Sequence, residues 1–254
     1  KADDDDDGDV GRRLYSYDKE EVKLGDFSLT INPGFINRAE IVVLLGENGT
    51  GKTTFIKNLL KKDDITVSIK YQRLVPKCKL SVRQLLYKKF PTAIMDSDFD
   101  NFVLTPLSIK DIFDRKFKEL SGGELQRVAL AMCLAKKAKI YLIDEPSACL
   151  DSEQRISVCQ ILKKFATIHQ VSIFVVEHDL MMANYLADRT IVFSGEPGIK
   201  TECSSPMSFT IGFNQFLKFL NVTVRMDRKF KRPRINKFNS KKDKEQKQNG
   251  RYYE

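Results

Sequence analysis

Five apolar residues in a row, Ile41 to Leu45, run without a break into Gly46-Glu47-Asn48-Gly49-Thr50-Gly51-Lys52-Thr53. A continuous apolar run of this kind is the pattern of a strand buried on both faces of a parallel sheet. The glycines at its end let the backbone turn sharply and approach a ligand closely. Thr53 to Leu60 then follows with helical spacing. The turn fits the phosphate-binding pattern G-x-x-x-x-G-K-[ST] at every fixed position, between the strand and the helix that the pattern requires. N–H groups at the start of such a helix donate to phosphate oxygens. In this reading Gly46, Asn48, Gly49, Gly51, Lys52, Thr53 and Thr54 bind nucleotide. Lys52 reaches the β- and γ-phosphates of ATP, and the Thr53 hydroxyl binds Mg²⁺.

The rest of the chain keeps a strand–helix rhythm. Strands are expected over Leu14 to Tyr17, Asp26 to Ile31 and Ile65 to Tyr71, followed by two or more helices from Ser81 to Phe117, with Ser81 as an N-cap. A helix starts near Ser121 and carries Leu125, Val128, Ala129 and Met132 on one face. The strand Ile140 to Ile143, a helix over Glu153 to Ala166, the strand Val171 to Val176, a helix after His178 and the strand Thr190 to Phe193 complete the alternation. Phe209 to Leu220 reads as a last amphipathic helix. Strands alternating with helices in this way give an α/β fold, a mainly parallel sheet covered on both faces.

Charge divides the chain. Between Arg225 and Arg251 there are twelve Lys/Arg against three Asp/Glu, so this segment holds the whole net charge of +9 and the remainder is neutral. Six aspartates lie between Asp3 and Asp9. A basic tail can bind a polyanion such as RNA, and equally can be a solvated terminus. No apolar run approaches the ~18 to 20 residues of a membrane span, and the start KADDDDDGDV is unlike a secretory signal. Both features argue against a secreted or membrane-embedded protein. Cys78, Cys133, Cys149, Cys159 and Cys203 form no CxxC pair, so buried, reduced thiols are expected.

Ile140-Tyr-Leu-Ile143 runs into Asp144-Glu145, some 90 residues after the phosphate loop. A carboxylate at the C-terminal end of a parallel strand lies on the ligand-binding side of the sheet. Asp144 there can hold Mg²⁺, and Glu145 can act as general base on the attacking water. Leu120-Ser-Gly-Gly-Glu-Leu-Gln-Arg127 resembles the signature of the ATP-binding-cassette (ABC) ATPases. The order also matches that family: phosphate loop, Gln72 after a strand, signature, Asp144-Glu145, the loop Ser147 to Asp151, and His178 after a strand. The resemblance implies the ABC type of P-loop NTPase fold, with a helical signature subdomain. It also implies a composite site, in which Ser121 and Gly123 act on the ATP of a partner domain. Gln72 would sense Mg²⁺ and the attacking water, His178 would contact the γ-phosphate, and Asp151 would communicate across the interface. Tyr17, or Tyr15 on the same strand face, matches the aromatic that stacks on adenine. His169, at a helix end, reads as a solvated residue.

Four stretches narrow the resemblance: GENGTGKTTFIKNLL, LSGGELQRVALAMCLAKKAKIYLIDEPSACLDSEQR, VVEHDLMMANYLADR and RPRINKFNSKKDKEQKQNGRYYE. They resemble the second nucleotide-binding domain of ABC subfamily E, the family of the RNase L inhibitor and ribosome-recycling ATPases. The segment Lys61 to Thr66 is shorter than in relatives, and Cys149 stands where they often have Tyr. The organisation implied is an acidic linker over 1–13, an ABC ATPase domain over 14–222 with its helical subdomain at about 78–135, and a basic hinge and tail over 223–254. Arg232, Arg234 and Lys237 would belong to the hinge, and Lys241 to Lys247 would face solvent or RNA. The function implied is ribosome splitting and recycling in the cytoplasm. Its partners would be a first nucleotide-binding domain, the small ribosomal subunit and its RNA, a termination or rescue release factor, and initiation factors, with no membrane involved. The alternative is the ATPase subunit of a membrane transporter, which gives no reason for the RPRIN stretch.

Overall fold

The computed structural model describes residues 12–59, 66–70, 79–227 and 233–254. Gln72, Cys78, Arg232, the aspartates of the acidic start and residues 61–65 lie outside the described residues.

Five strands come first: β1 (Arg13–Tyr17), β2 (Glu20–Leu24), β3 (Phe27–Ile31), β4 (Gly34–Asn37) and β5 (Glu40–Leu45). Helix α1 (Lys52–Leu59) and strand β6 (Val67–Lys70) follow. A helical stretch comes next, with α2 (Val82–Lys89), α3 (Pro91–Met95), α4 (Ser97–Phe99), a π turn (Asp100–Leu104) and the long α5 (Gly122–Ala135). Strand β7 (Ile140–Asp144), helix α6 (Ser152–His169), strand β8 (Ser172–Val176) and helix α7 (Leu180–Leu186) then alternate as the hydrophobic pattern predicts. The chain continues through β9 (Arg189–Glu196), β10 (Lys200–Cys203), β11 (Met207–Ser208) and α8 (Phe209–Phe219). The last elements are β12 (Val224–Met226), β13 (Pro233–Ile235) and α9 (Lys241–Gln248). Contacts sort the described residues into two compact units. One is made of 12–38, 42–59, 183–227 and 233–254, the other of 39–41, 66–70 and 79–182.

In the first unit the strands are ordered β2-β3-β10-β9-β5, with β11 on β9 and a separate antiparallel pair of β1 and β4. From Val42 to Leu45, β5 runs parallel to β9. Each of those four residues is at most 2% exposed, the burial that the unbroken apolar run predicts. β10 is parallel to β3 but antiparallel to β9, so this sheet is mixed. Strand β2, with the sequence EEVKL, buries only Val22. A charged edge strand of that kind protects the sheet from pairing with other chains and leaves no apolar alternation to read.

The basic segment after Thr223 is a folded part of the same unit. Tyr253 packs edge-on against Phe209 and Phe213 of α8, at 6.2 and 5.0 Å between ring centres. Backbone bonds join Val224 to the last residues of the chain: Val224 N–H donates to Tyr252 O at 2.7 Å and Glu254 N–H to Val224 O at 3.1 Å. A polar cluster forms the interior. The Thr223 hydroxyl donates to Asp243 at 2.6 Å, and the Asn236 amide donates both to Thr223 Oγ1 and to Gln246 Oε1. Gln246 in turn donates to Val224 O at 3.1 Å. Lys247 turns inward, its ammonium 3.1 Å from the Asp243 carboxylate, and so departs from the solvent- or RNA-facing role expected of it. Lys241, Lys242 and Lys244 are exposed.

In the second unit β6, β7 and β8 are parallel neighbours, and α5 packs on β6 and β7, with Val128, Leu130 and Ala131 among its buried residues. Ser81 caps α2 as expected, with its hydroxyl accepting from Gln84 N–H. Cys133, Cys159 and Cys203 are buried, but Cys149 is exposed, in a left-handed turn at φ +62°. No helix among the described residues is long and apolar enough to cross a membrane.

The Thr223 hydroxyl, with Lys247 beside it, holds the Asp243 carboxyl below the usual carboxylate range. A depressed carboxyl contributes stability that is complete above its unfolded pKa of about 3.9 and is lost as pH falls through the folded value. Thr223→Val should therefore lower the melting temperature at pH 7 by about 2–4 °C. Circular dichroism melts should show the gap to wild type closing below about pH 4, whereas a gap constant with pH would rule out Asp243 as the partner.

Candidate functional site

The glycine-rich turn belongs to the first unit. Gly49 and Gly51 adopt φ of +82° and +93°, a region that side chains disfavour. A Cβ on Gly51 would lie 2.9 Å from Phe27 Cζ, so the strand underneath also demands glycine. Gly198 N–H holds the turn from outside through Gly49 O at 3.0 Å, and the Thr50 hydroxyl closes it from within through Glu47 O at 2.7 Å. Helix α1 begins with Phe55 N–H donating to Gly51 O at 2.8 Å. Lys52 is buried, and its ammonium donates to Gly46 O at 2.6 Å and Glu47 O at 2.8 Å. Asn48 and Thr53 are exposed, and Thr54 is half-buried. The turn thus places a cation, a hydroxyl and a helix N-terminus at one spot, which suits a polyphosphate.

The two tyrosines separate. Tyr17 is 5% exposed, with Phe55 edge-on at 5.8 Å and its hydroxyl end against Gly34. That packing uses its ring for the core, which counts against Tyr17 as the adenine-stacking residue. Tyr15 lies over Tyr17 at 6.3 Å and is half-exposed, so the candidate on this strand face becomes Tyr15.

The second unit gathers the acidic pair and the histidine. Register between β7 and β8 sets Asp144 opposite Val176. The next residue, Glu145, takes φ +45° and donates its N–H to Val176 O at 2.8 Å. His178 Nε2 lies 3.2 Å from Glu145 Oε1, with the histidine half-exposed and the glutamate largely covered. Lys70, at the end of β6, is 2% exposed and donates to Asp144 O at 2.8 Å. Burial pushes its pKa down to about 8, against the opposing pull of Asp144, Glu145 and Glu177.

Ser121 is the N-cap of α5: its hydroxyl accepts from Glu124 N–H, and Ser121 N–H donates to the Glu124 carboxylate at 2.7 Å. Arg115 holds that carboxylate at 2.6 Å. Gly123 faces the loop after β7, and a Cβ there would meet Cys149 O at 2.8 Å. The signature turn and the loop leading to Asp151 are therefore packed on one another. Asp151 caps α6, accepting from Gln154 N–H at 2.8 Å. His169 is exposed, with its ring against Phe165.

Three residues at this site escape a reading by motif. Lys70 donates to Asp144 O on β7, Glu177 accepts from Ser147 N–H in the loop after β7, and Arg155 donates to Leu150 O in that loop. For Lys70 and Glu177 the sequence signal is a charge at the edge of an apolar strand, in VSIK and in VVE.

The ABC transporter family profile matches residues 24–148. The chain is 49% identical over 239 residues to the translation initiation factor rli1 of Schizosaccharomyces pombe, a match that covers 94% of this chain and 40% of that protein. It is 48% identical over 159 residues to ABC transporter E family member 3 of Arabidopsis thaliana, covering 57% of this chain and 88% of that one. Among solved structures, a model of ribosome-bound archaeal Pelota and ABCE1 contains a chain that is similar at a TM-score of 0.88 and 40% identity, covering 95% of this chain and 42% of that one. The chain thus spans about two fifths of the length of the full-length curated relatives that it matches, 40% in the fission yeast protein.

The contacts of the two signature glycines separate their tolerances. Gly123→Ala has to push a backbone carbonyl aside and should cost about 1–3 kcal/mol. Gly122→Ala meets only the Cys149 thiol, at 3.3 Å, and should change stability by no more than ~0.5 kcal/mol. Urea unfolding of both variants measures the contrast, and equal losses would contradict the packing.

Proposed function

The chain belongs to the ABC ATPases, subfamily E, and from that membership we propose that it is the ATP-binding and ATP-hydrolysing half of a twin-cassette enzyme that splits and recycles ribosomes. The observation that carries the proposal is the identity of 49% to a translation initiation factor over 94% of the chain. A transporter subunit would account for residues 24–148 but leaves the folded segment after Thr223 without a role. The full assembly would work in the cytoplasm with a first nucleotide-binding domain, the small ribosomal subunit and its RNA. A termination or rescue release factor and initiation factors would join it.

In this reading Lys52 trades its bonds to Gly46 O and Glu47 O for β- and γ-phosphate oxygens. Gly46, Asn48, Gly49, Gly51 and Thr54 shape the turn around the phosphates, and Tyr15 takes the adenine. The donors suit Mg²⁺, because the Thr53 hydroxyl and the Asp144 carboxylate are hard oxygens. When bound, the ion neutralises charge on the β- and γ-oxygens. Gln72, which lies outside the described residues, would sense the ion and the attacking water. Glu145 accepts the proton of the attacking water, and His178, 3.2 Å away, holds that carboxylate and reaches the γ-phosphate. Ser121 and Gly123 serve the partner's nucleotide, and Asp151 communicates across the interface.

Lys52→Ala should abolish ATP binding in calorimetry, while Glu145→Gln should keep it and slow hydrolysis by about 10²–10⁴. Wild-type turnover in the Gln variant would remove Glu145 as the base. The full chain should co-sediment with small ribosomal subunits in a non-hydrolysable ATP analogue, and a lack of nucleotide-dependent binding would overturn the recycling reading. Each phosphate contact contributes roughly 0.7–0.9 to the salt slope. Joint replacement of the exposed Lys241, Lys242 and Lys244 by Ala should therefore flatten it by about 2 to 3 units. An unchanged slope would show those lysines to be solvated only.

A further inference from the structure

Glu177 ends β8 with a carboxylate that is 5% exposed and fully engaged. It accepts from the Ser147 hydroxyl at 2.8 Å and from Ser147 N–H at 3.3 Å, in the loop between β7 and α6. It also accepts from His178 N–H at 2.8 Å and Asp179 N–H at 3.0 Å, in its own segment. Such a set explains how a carboxylate can be buried, since both of its oxygens accept from N–H or O–H donors. A second link runs beside the first. Arg155 on α6 donates through Nε to Leu150 O at 3.0 Å and through Nη1 to Asp179 at 2.6 Å. The other oxygen of Asp179 accepts from Met181 and Met182 N–H, at 2.8 and 3.2 Å, and fixes the start of α7.

These bonds tie both ends of the 147–150 loop to the segment that carries His178. The loop leads directly into Asp151 and packs on Gly123 of the signature turn, and the His178 ring reaches Glu145 at 3.2 Å. We propose that Glu177 and Arg155 are positioning residues, two struts through which a displacement of the 147–151 loop moves the His178 backbone and so resets the His178–Glu145 contact. This rests on the ATPase reading given above. A partner domain that presses on the loop would thereby act on hydrolysis without touching the general base.

Amide hydrogen exchange of the full chain tests the struts directly. Ser147→Ala deletes one hydroxyl and should speed exchange at His178 and Asp179, some thirty residues away, by fivefold or more. Arg155→Met should do the same at Asp179 to Met182 and at Leu150 and Asp151 together. Acceleration confined to the segment that carries the substitution, or spread evenly over α6, would overturn the proposal. In hydrolysis by the twin-cassette assembly, Arg155→Met should lower kcat about tenfold with KM for ATP within twofold, and Arg155→Lys should recover part of that loss. A parallel fall in affinity and kcat would speak for general damage and against positioning. Should the wild-type chain fail to bind MgATP in calorimetry, the ATPase reading falls, while the exchange measurements still decide whether loop and histidine segment move together.

Discussion

One backbone hydrogen bond, from Glu145 N–H to the Val176 carbonyl, fixes how the ends of β7 and β8 meet in the second unit. Parallel strands deliver their C-terminal ends to the same edge. β7 and β8 therefore release Asp144, Glu145, Glu177 and His178 side by side, although more than thirty residues separate the pairs. The left-handed φ of Glu145 turns the chain at that edge, and the bond to Val176 holds the turn in place. Lys70 fastens the preceding carbonyl from the other neighbouring strand. Such strain at a non-glycine residue persists only when the surroundings determine it this fully.

What could be read from the sequence was whatever is local. The phosphate loop is contiguous, and its glycines are demanded by φ at Gly49 and Gly51, so strand, turn and helix follow from eight residues. Asp144, Glu145 and His178 could be located for a similar reason, since each lies within two residues of the end of an apolar run. Packing decided the rest. Tyr15 and Tyr17 look alike along the strand, and only the approach of Phe55 shows which ring the core absorbs. Edge strands such as β2 carry too few buried residues to leave a periodic trace. Glu177 reaches Ser147 and Arg155 reaches Asp179, partners far apart in the sequence, and no spacing rule encodes that.

The segment after Thr223 shows the same limit in another form. Its composition is that of a solvated tail, yet Thr223, Asn236, Asp243 and Gln246 are buried and bonded to one another. A core made of mutually satisfied polar groups has no hydrophobic period. It is more exacting about geometry than an apolar core, because one missing partner leaves a desolvated group unpaid. Attachment to α8 through Tyr253 gives this small cluster the apolar floor that it could not build alone.

Lys52 has a consequence for selectivity. Its ammonium already holds two backbone oxygens of the glycine-rich turn. An incoming anion therefore exchanges bonds with the protein instead of adding them, and the net gain per oxygen is small. A single inorganic phosphate or a chloride that captures the ammonium replaces what the turn already offers. In the proposed site a polyphosphate chain would reach further, to the N–H groups of the helix N-terminus, whose bonds to it add to those of the lysine. In the proposed nucleotide site, the internal bonds of Lys52 would thus favour ligands that engage several groups at once over single small anions.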